Sequence, residues 1–165
     1  MRNKKVLFLT QAAIIAAIYV VLTMVFAPFS FGEVQVRISE ALTVLPFFTP
    51  AAIPGLFVGC LIGNITGGAI LPDIVFGSLA TLLGAMGTWM LRKHRFLAPV
   101  PPIVSNIVIV PLVLRYGYKI VLPIPFMMLT VGIGEIVSCG VLGMFLLTAL
   151  DRYKNTIFHT DFIQN

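Results

Sequence analysis

The stretch "ISEALTVLPFFTPAAIPGLFVGCLIGNIT", residues 38–66, decides how this chain crosses a membrane. It is largely apolar, yet it carries Glu40 and Asn64, and Pro46, Pro50 and Pro54 recur at four-residue intervals. As one helix it is a single crossing. With a turn at "FFTPAAIP" it is two short helices. Proline lacks a backbone donor, its ring clashes with the preceding turn, and it steers its predecessor away from helical angles. These effects favour a break but leave both readings open.

The flanking sequence is less ambiguous. Of 165 residues, 59% are hydrophobic and 10% charged, against about 25% charged in a soluble domain. Long apolar runs without alternation, such as "VLFLTQAAIIAAIYVVLTMVFA" at 6–27, mean membrane helices rather than barrel strands. That run follows a basic start, as in a signal peptide. Its 22 residues exceed the about 7–15 of a signal core, so it is read as a retained first helix. Pro28 and Gly32 close it. Helix 4 is expected from about Pro72 to Leu91, ended by "RKHR"; helix 5 from Val100 to Leu114, followed by "RYGYK"; helix 6 from Pro123 to Leu150, followed by "DRYK". Residues 1–153 form one transmembrane domain and 154–165 a polar tail, with no room for a nucleotide-binding domain.

Basic residues settle the ambiguous stretch, because they favour the cytoplasmic side. Two segments give six helices. Arg2, Lys4, Lys5, Arg92, Lys93, Arg95, Arg152 and Lys154 then lie inside, and only Arg37, Arg115 and Lys119 outside. One segment gives five helices, with five basic residues inside and six outside. The expected fold is therefore an all-α, six-helix transmembrane bundle with short helices 2 and 3 and both termini cytoplasmic. The net charge of +5 then reflects topology signals rather than nucleic-acid binding. Trp89 reads as an interfacial anchor.

Threaded through this topology, Arg37, Glu40, Asn64 and Asp73 fall in the outer half and Asn106 near the middle of helix 5. Glu135 lies 12 residues past Pro123, or ~18 Å down helix 6 at about 1.5 Å per residue. A charge at the bilayer centre costs about 2.5–3.5 kcal/mol even on the mild scale, so such groups face a cavity or a partner. Their convergence implies a polar pocket open outward. Architectural readings stand beside this one. Arg37 and Glu40, three residues apart, can pair; Asp73 can cap helix 4; Glu135 can be a buried protonated carboxyl. Phe29, Phe31, Phe57 and Phe76 are stacking candidates that also suit plain packing.

Helix 1 carries Ala12, Ala13, Ala16 and Ala17, two overlapping pairs of the spacing that lets helices approach closely. Gly55, Gly59 and Gly63 on helix 3 read as internal packing, as do Gly132, Gly140 and Gly143 on helix 6. Cys60 and Cys139 read as small buried residues, and His94 and His159 lack metal-ligand spacing. Neither GxxxxGK(S/T), HExxH, GxSxG nor CxxC occurs, which speaks against a P-loop ATPase, a zinc protease, a serine hydrolase or a thiol redox enzyme. Inverted halves of similar length are not evident either.

The sequence "VQVRISEALTVLPFFTPAAIPGLFVGCLIGN", residues 34–64, followed by "LPDIVFGSLATLLGA", residues 71–85, resembles the QueT family. These are substrate-binding S-components of energy-coupling factor (ECF) transporters. "RISEAL" and "DIVFGSLATLL" are the most specific parts, and the resemblance runs from about Val6 to Tyr153. It implies a multi-pass subunit of the bacterial plasma membrane, not an enzyme, that takes up a queuosine precursor. The ligand would be a 7-deazaguanine base such as 7-aminomethyl-7-deazaguanine, or queuine. It further implies a transmembrane coupling subunit and two ATPases as partners, with ATP used by those ATPases and no cofactor in this chain. Helix 1 would meet the coupling subunit through Ala13 and Ala17, or through Ala12 and Ala16. On this reading the substrate-binding residues are Glu135, Glu40, Asp73, Asn106, Asn64, Arg37 and Phe76. Three carboxylates against one arginine suit a donor-rich or cationic base. The alternatives are an S-component for another vitamin, an autonomous small-solute carrier or channel using Glu135, or a small enzyme acting on lipid. The last lacks a nucleophile–base pair.

Overall fold

The computed structural model describes residues 4–30 and 36–153. Glu33, Gly32, Phe31, Arg2 and the tail from Lys154 lie outside the described residues, as does the side chain of Phe29. Six helices build the bundle. They are α1 (Lys4–Val25), α2 (Ile38–Phe47), α3 (Ala52–Thr66), α4 (Leu71–Met90), α5 (Val100–Leu112, continuing as a π-helical turn Val113–Gly117) and α6 (Ile124–Asp151). A single helical turn, Ala27–Ser30, follows α1. Four stretches are long and apolar enough to cross a membrane: Lys4–Val25, Leu71–Met90, Arg95–Gly117 and Ile124–Asp151.

The stretch 38–66 is two helices, as the charge distribution requires. α2 is a ten-residue 3₁₀ helix, unusually long for that geometry. At about 2.0 Å per residue it reaches about 20 Å, where an α-helix of the same length reaches about 15 Å. Every residue from Ser39 to Pro46 is buried. Such a helix is packed among its neighbours along most of its length, so little of its backbone meets hydrocarbon. Thr49 shapes the turn into α3: its hydroxyl donates to Gln11 Oε1 at 3.0 Å and accepts from Ala51 N at 3.3 Å. Pro54 occupies the first turn of α3, where a missing N–H breaks no helical bond.

Close helix approach positions the site. A Cβ on Gly55 would stand 2.7 Å from the carbonyl oxygen of Ala12, and one on Gly59 2.8 Å from Tyr19 Cβ and 3.1 Å from Ala16 Cα. α3 is thus pressed against the Ala12–Ala16 face of α1. The opposite pair, Ala13 and Ala17, faces outward. Gly84 plays the same part between α4 and α5, where a Cβ would meet Pro102 Cα at 2.6 Å.

An apolar core of Ile15, Leu42, Leu45, Phe48, Leu56 and Leu147 fills the end of the bundle beside the α2–α3 turn. At that end Arg95 pairs with Asp151 at 3.7 Å and donates to Thr148 Oγ1 at 2.7 Å. The α4–α5 connection and the end of α6 therefore share one face. With six segments, the start of α1 lies on that face too. Outward-facing Leu9, Ile14, Val21, Leu83, Val104 and Phe145 are exposed, as a lipid-contacting surface should be.

Candidate functional site

The other end and the middle of the bundle hold a buried polar cluster. Each of α1 to α6 contributes to it. Glu40, Asn64 and Asp73 are each 1% exposed, Asn106 4%, Glu135 5% and Arg37 6%. The six polar residues singled out in the sequence are all brought into one region. The expectation of an outward-open pocket is corrected, because these side chains are closed off from solvent.

The outer layer is organised by Asp73. Its Oδ2 lies 3.5 Å from Arg37 Nη2 and accepts from the Tyr118 hydroxyl at 3.0 Å. Arg37 also donates to Asn64 Oδ1 at 3.3 Å, and Asn64 Nδ2 donates to the Asp73 carbonyl at 3.3 Å. Gly77 makes room, since a Cβ there would meet Asp73 Oδ1 at 2.9 Å and Asn64 Nδ2 at 3.2 Å. Two of the architectural readings fail here. Among the described residues the ion pair of Arg37 is to Asp73, not to Glu40. Asp73 stands in the first turn of α4, but no side chain caps that helix. Tyr118 belongs to the α5–α6 connection and is partly exposed. Its burial and then the charge of Asp73 push its hydroxyl above the usual tyrosine range.

The deeper layer is organised by Glu40. Tyr19 and Thr81 both donate to its Oε1, the latter at 3.4 Å. Asn106, on α5, is buried near both Glu40 and Glu135. The Cys139 thiol donates to Glu135 Oε2 at 3.1 Å and lies 3.3 Å from Thr43 Oγ1. α6 turns from α-helix to a π-helical segment, Ile136–Leu142, immediately after Glu135. Both Glu135 and Cys139 are buried across that transition, and π segments recur at functional sites.

Sequence reasoning missed Tyr19, Tyr118, Thr81 and the role of Cys139. Tyr19 carried a legible signal. A lone tyrosine in an apolar helix needs a partner for its hydroxyl once buried. Cys60 and Cys139 are buried free thiols, but both join the network, Cys60 Sγ lying 3.4 Å from Thr81 Oγ1.

Phe76 is placed elsewhere. It is 51% exposed and lines an apolar surface groove with Pro72, Ile109, Leu112 and Tyr116. A second apolar groove of about 580 Å³ runs between α1, α2 and α6, lined by Ile14, Ile18, Leu42, Phe145 and Leu146. Neither is formed by the polar cluster.

The cluster has the chemistry to recognise a donor-rich polar group. It offers three carboxylates against the single guanidinium of Arg37, two amides that both donate and accept, and tyrosine hydroxyls. Two comparisons bear on it. The model of the family described as "QueT transporter" matches residues 9–152. The "Queuosine precursor transporter QueT" of Lactococcus lactis subsp. cremoris (strain MG1363) is 35% identical over 85 residues, 50% of each chain. The match thus spans about half the length of that curated relative. No solved structure matches significantly.

Proposed function

The chain belongs to the QueT transporter family, and on that premise we propose that it is the substrate-binding S-component of an ECF-type importer in the bacterial plasma membrane. Its substrate is a queuosine precursor, a 7-deazaguanine base such as 7-aminomethyl-7-deazaguanine, or queuine. The observation that carries the reading is the buried excess of carboxylate over arginine: Glu40, Asp73 and Glu135 with Arg37, all 6% exposed or less. A guanine-like base presents adjacent N–H donors that a carboxylate accepts together, and Asn64 and Asn106 serve its mixed edges. An acidic substrate would demand the opposite balance.

Transport requires partners: a coupling subunit in the membrane and two ATPases that use ATP. Ala13 and Ala17 fit such a partner, because α3 already occupies the Ala12–Ala16 face. Small residues facing outward on a membrane helix allow another helix to come close.

Mass spectrometry of small molecules carried through purification tests the substrate, followed by calorimetry with 7-aminomethyl-7-deazaguanine. A co-purified 7-deazaguanine and saturable binding are expected. Uptake into proteoliposomes only when coupling subunit, ATPases and ATP are present tests the transporter class. Uptake by the isolated chain would instead make it an autonomous carrier.

A further inference from the structure

Glu40 on α2 and Glu135 on α6 face each other in the bundle interior. Together with Cys139 they each offer an oxygen or sulfur atom within 4.8 Å of the others, and all three residues are buried. Among the described residues Arg37 forms an ion pair with Asp73, in the layer above. Two carboxylates this close cannot both hold full charge in a low-dielectric interior without a cation. Each already has a protein donor at one oxygen, Tyr19 for Glu40 Oε1 and the Cys139 thiol for Glu135 Oε2. Glu40 Oε2 has no hydrogen-bond partner, although its residue is 1% exposed. A buried acceptor in that state retains its desolvation cost until a donor arrives. The π-helical segment that begins after Glu135 keeps Glu135 and Cys139 on the side of α6 that meets α2, where the thiol lies 3.4 Å from the Glu40 carbonyl.

We propose that Glu40 and Glu135 form a subsite for a protonated amine on the substrate, with Glu40 Oε2 and the Glu135 carboxyl accepting its N–H groups. The assignment deepens the S-component reading and rests on it for the identity of the rest of the ligand. A primary ammonium brings several N–H donors on one charge, which matches acceptors converging from two helices. A divalent metal ion fits less well. It would draw on a thiolate, whereas Cys139 Sγ stands within reach of acceptors only a thiol can serve, Glu135 Oε2 at 3.1 Å and the Glu40 carbonyl at 3.4 Å. The subsite selects for charge at one end of the ligand, and the Asp73–Asn64 layer is left to the flat ring.

The test compares two probes of nearly the same shape on the unaltered protein: 7-aminomethyl-7-deazaguanine, which is cationic, and 7-cyano-7-deazaguanine, which is neutral. Calorimetry is expected to show the aminomethyl base binding about 10- to 150-fold more tightly, the range of one charge-assisted hydrogen bond. Glu135→Gln and Glu40→Gln should each narrow that gap, while the cyano base loses less. Equal affinities, or tighter binding of the cyano base, overturn the ammonium subsite and leave the transporter reading standing. If neither base binds, the substrate reading fails, and the subsite is judged with benzylammonium against benzyl alcohol by thermal unfolding. Saturable stabilisation by benzylammonium alone, lost in Glu135→Gln, upholds the subsite; none overturns it.

Discussion

Replacing Arg37 by methionine should strand a buried carboxylate. Arg37 and Asp73 are 7% and 2% exposed in their side chains and stand 3.5 Å apart, so solvent screens the pair little. Asp73 would keep the Tyr118 hydroxyl but lose its cation, and its Oδ1 already has no partner. Breaking a buried pair from one side costs about 3–5 kcal/mol, mostly through the uncompensated charge. By the scaling of globular chains of this length, that lowers the unfolding midpoint by about 6–20 °C. Asp73→Asn should cost a similar amount, because it strands the guanidinium. The double variant, Arg37→Met with Asp73→Asn, removes both charges and should be more stable than the two single losses summed. Arg37 has further partners, so the cycle, not either single variant, isolates the pair; neighbouring groups couple by about 0.5–3 kcal/mol. Thermal unfolding of all four proteins in one detergent supplies the numbers. Strict additivity would refute the reasoning and make the Arg37–Asp73 approach energetically idle.

Ala13→Trp and Ala17→Trp should abolish ATP-driven uptake while leaving ligand binding to the isolated chain within about threefold, a shift under 1 kcal/mol; Ala16→Trp, set against Gly59, should instead lower the yield of folded protein. A joint loss of binding and uptake at Ala13 and Ala17 would mean that face is structural. Single cysteines at Lys93 and Lys119 should label from opposite sides in intact cells, with position 119 reached from outside, and outside-only labelling at position 93 would reverse the topology. Tyr118→Phe should reduce stability slightly and by a constant amount between roughly pH 6 and 9. A group whose folded pKa is raised stabilises fully below its unfolded value, near 10 for tyrosine, and loses that contribution only as pH climbs through the folded one. A Tyr118 contribution that faded between those pH values in unfolding experiments would contradict the Asp73 contact.

Hydrophobicity, the proline spacing and the placement of basic residues were enough to read six helices, because the bilayer leaves few structures for an apolar chain and topology follows lysine and arginine. The same reasoning picked out Glu40, Asn64, Asp73, Asn106 and Glu135, since polar groups in a membrane helix need a reason to be there. Which groups meet was not legible. Arg37 reaches past Glu40, three residues away, to Asp73 on another helix, and Glu40 instead accepts from Tyr19 on α1. The alanines showed two equivalent faces of α1, and only the approach of Gly55 and Gly59 buried one of them. Nor did local pattern announce the 3₁₀ geometry of α2 or the π segment of α6. Helical type differs by small backbone energies that packing outweighs. Side-chain partners are decided by distances between helices, and those exist only once the bundle has closed.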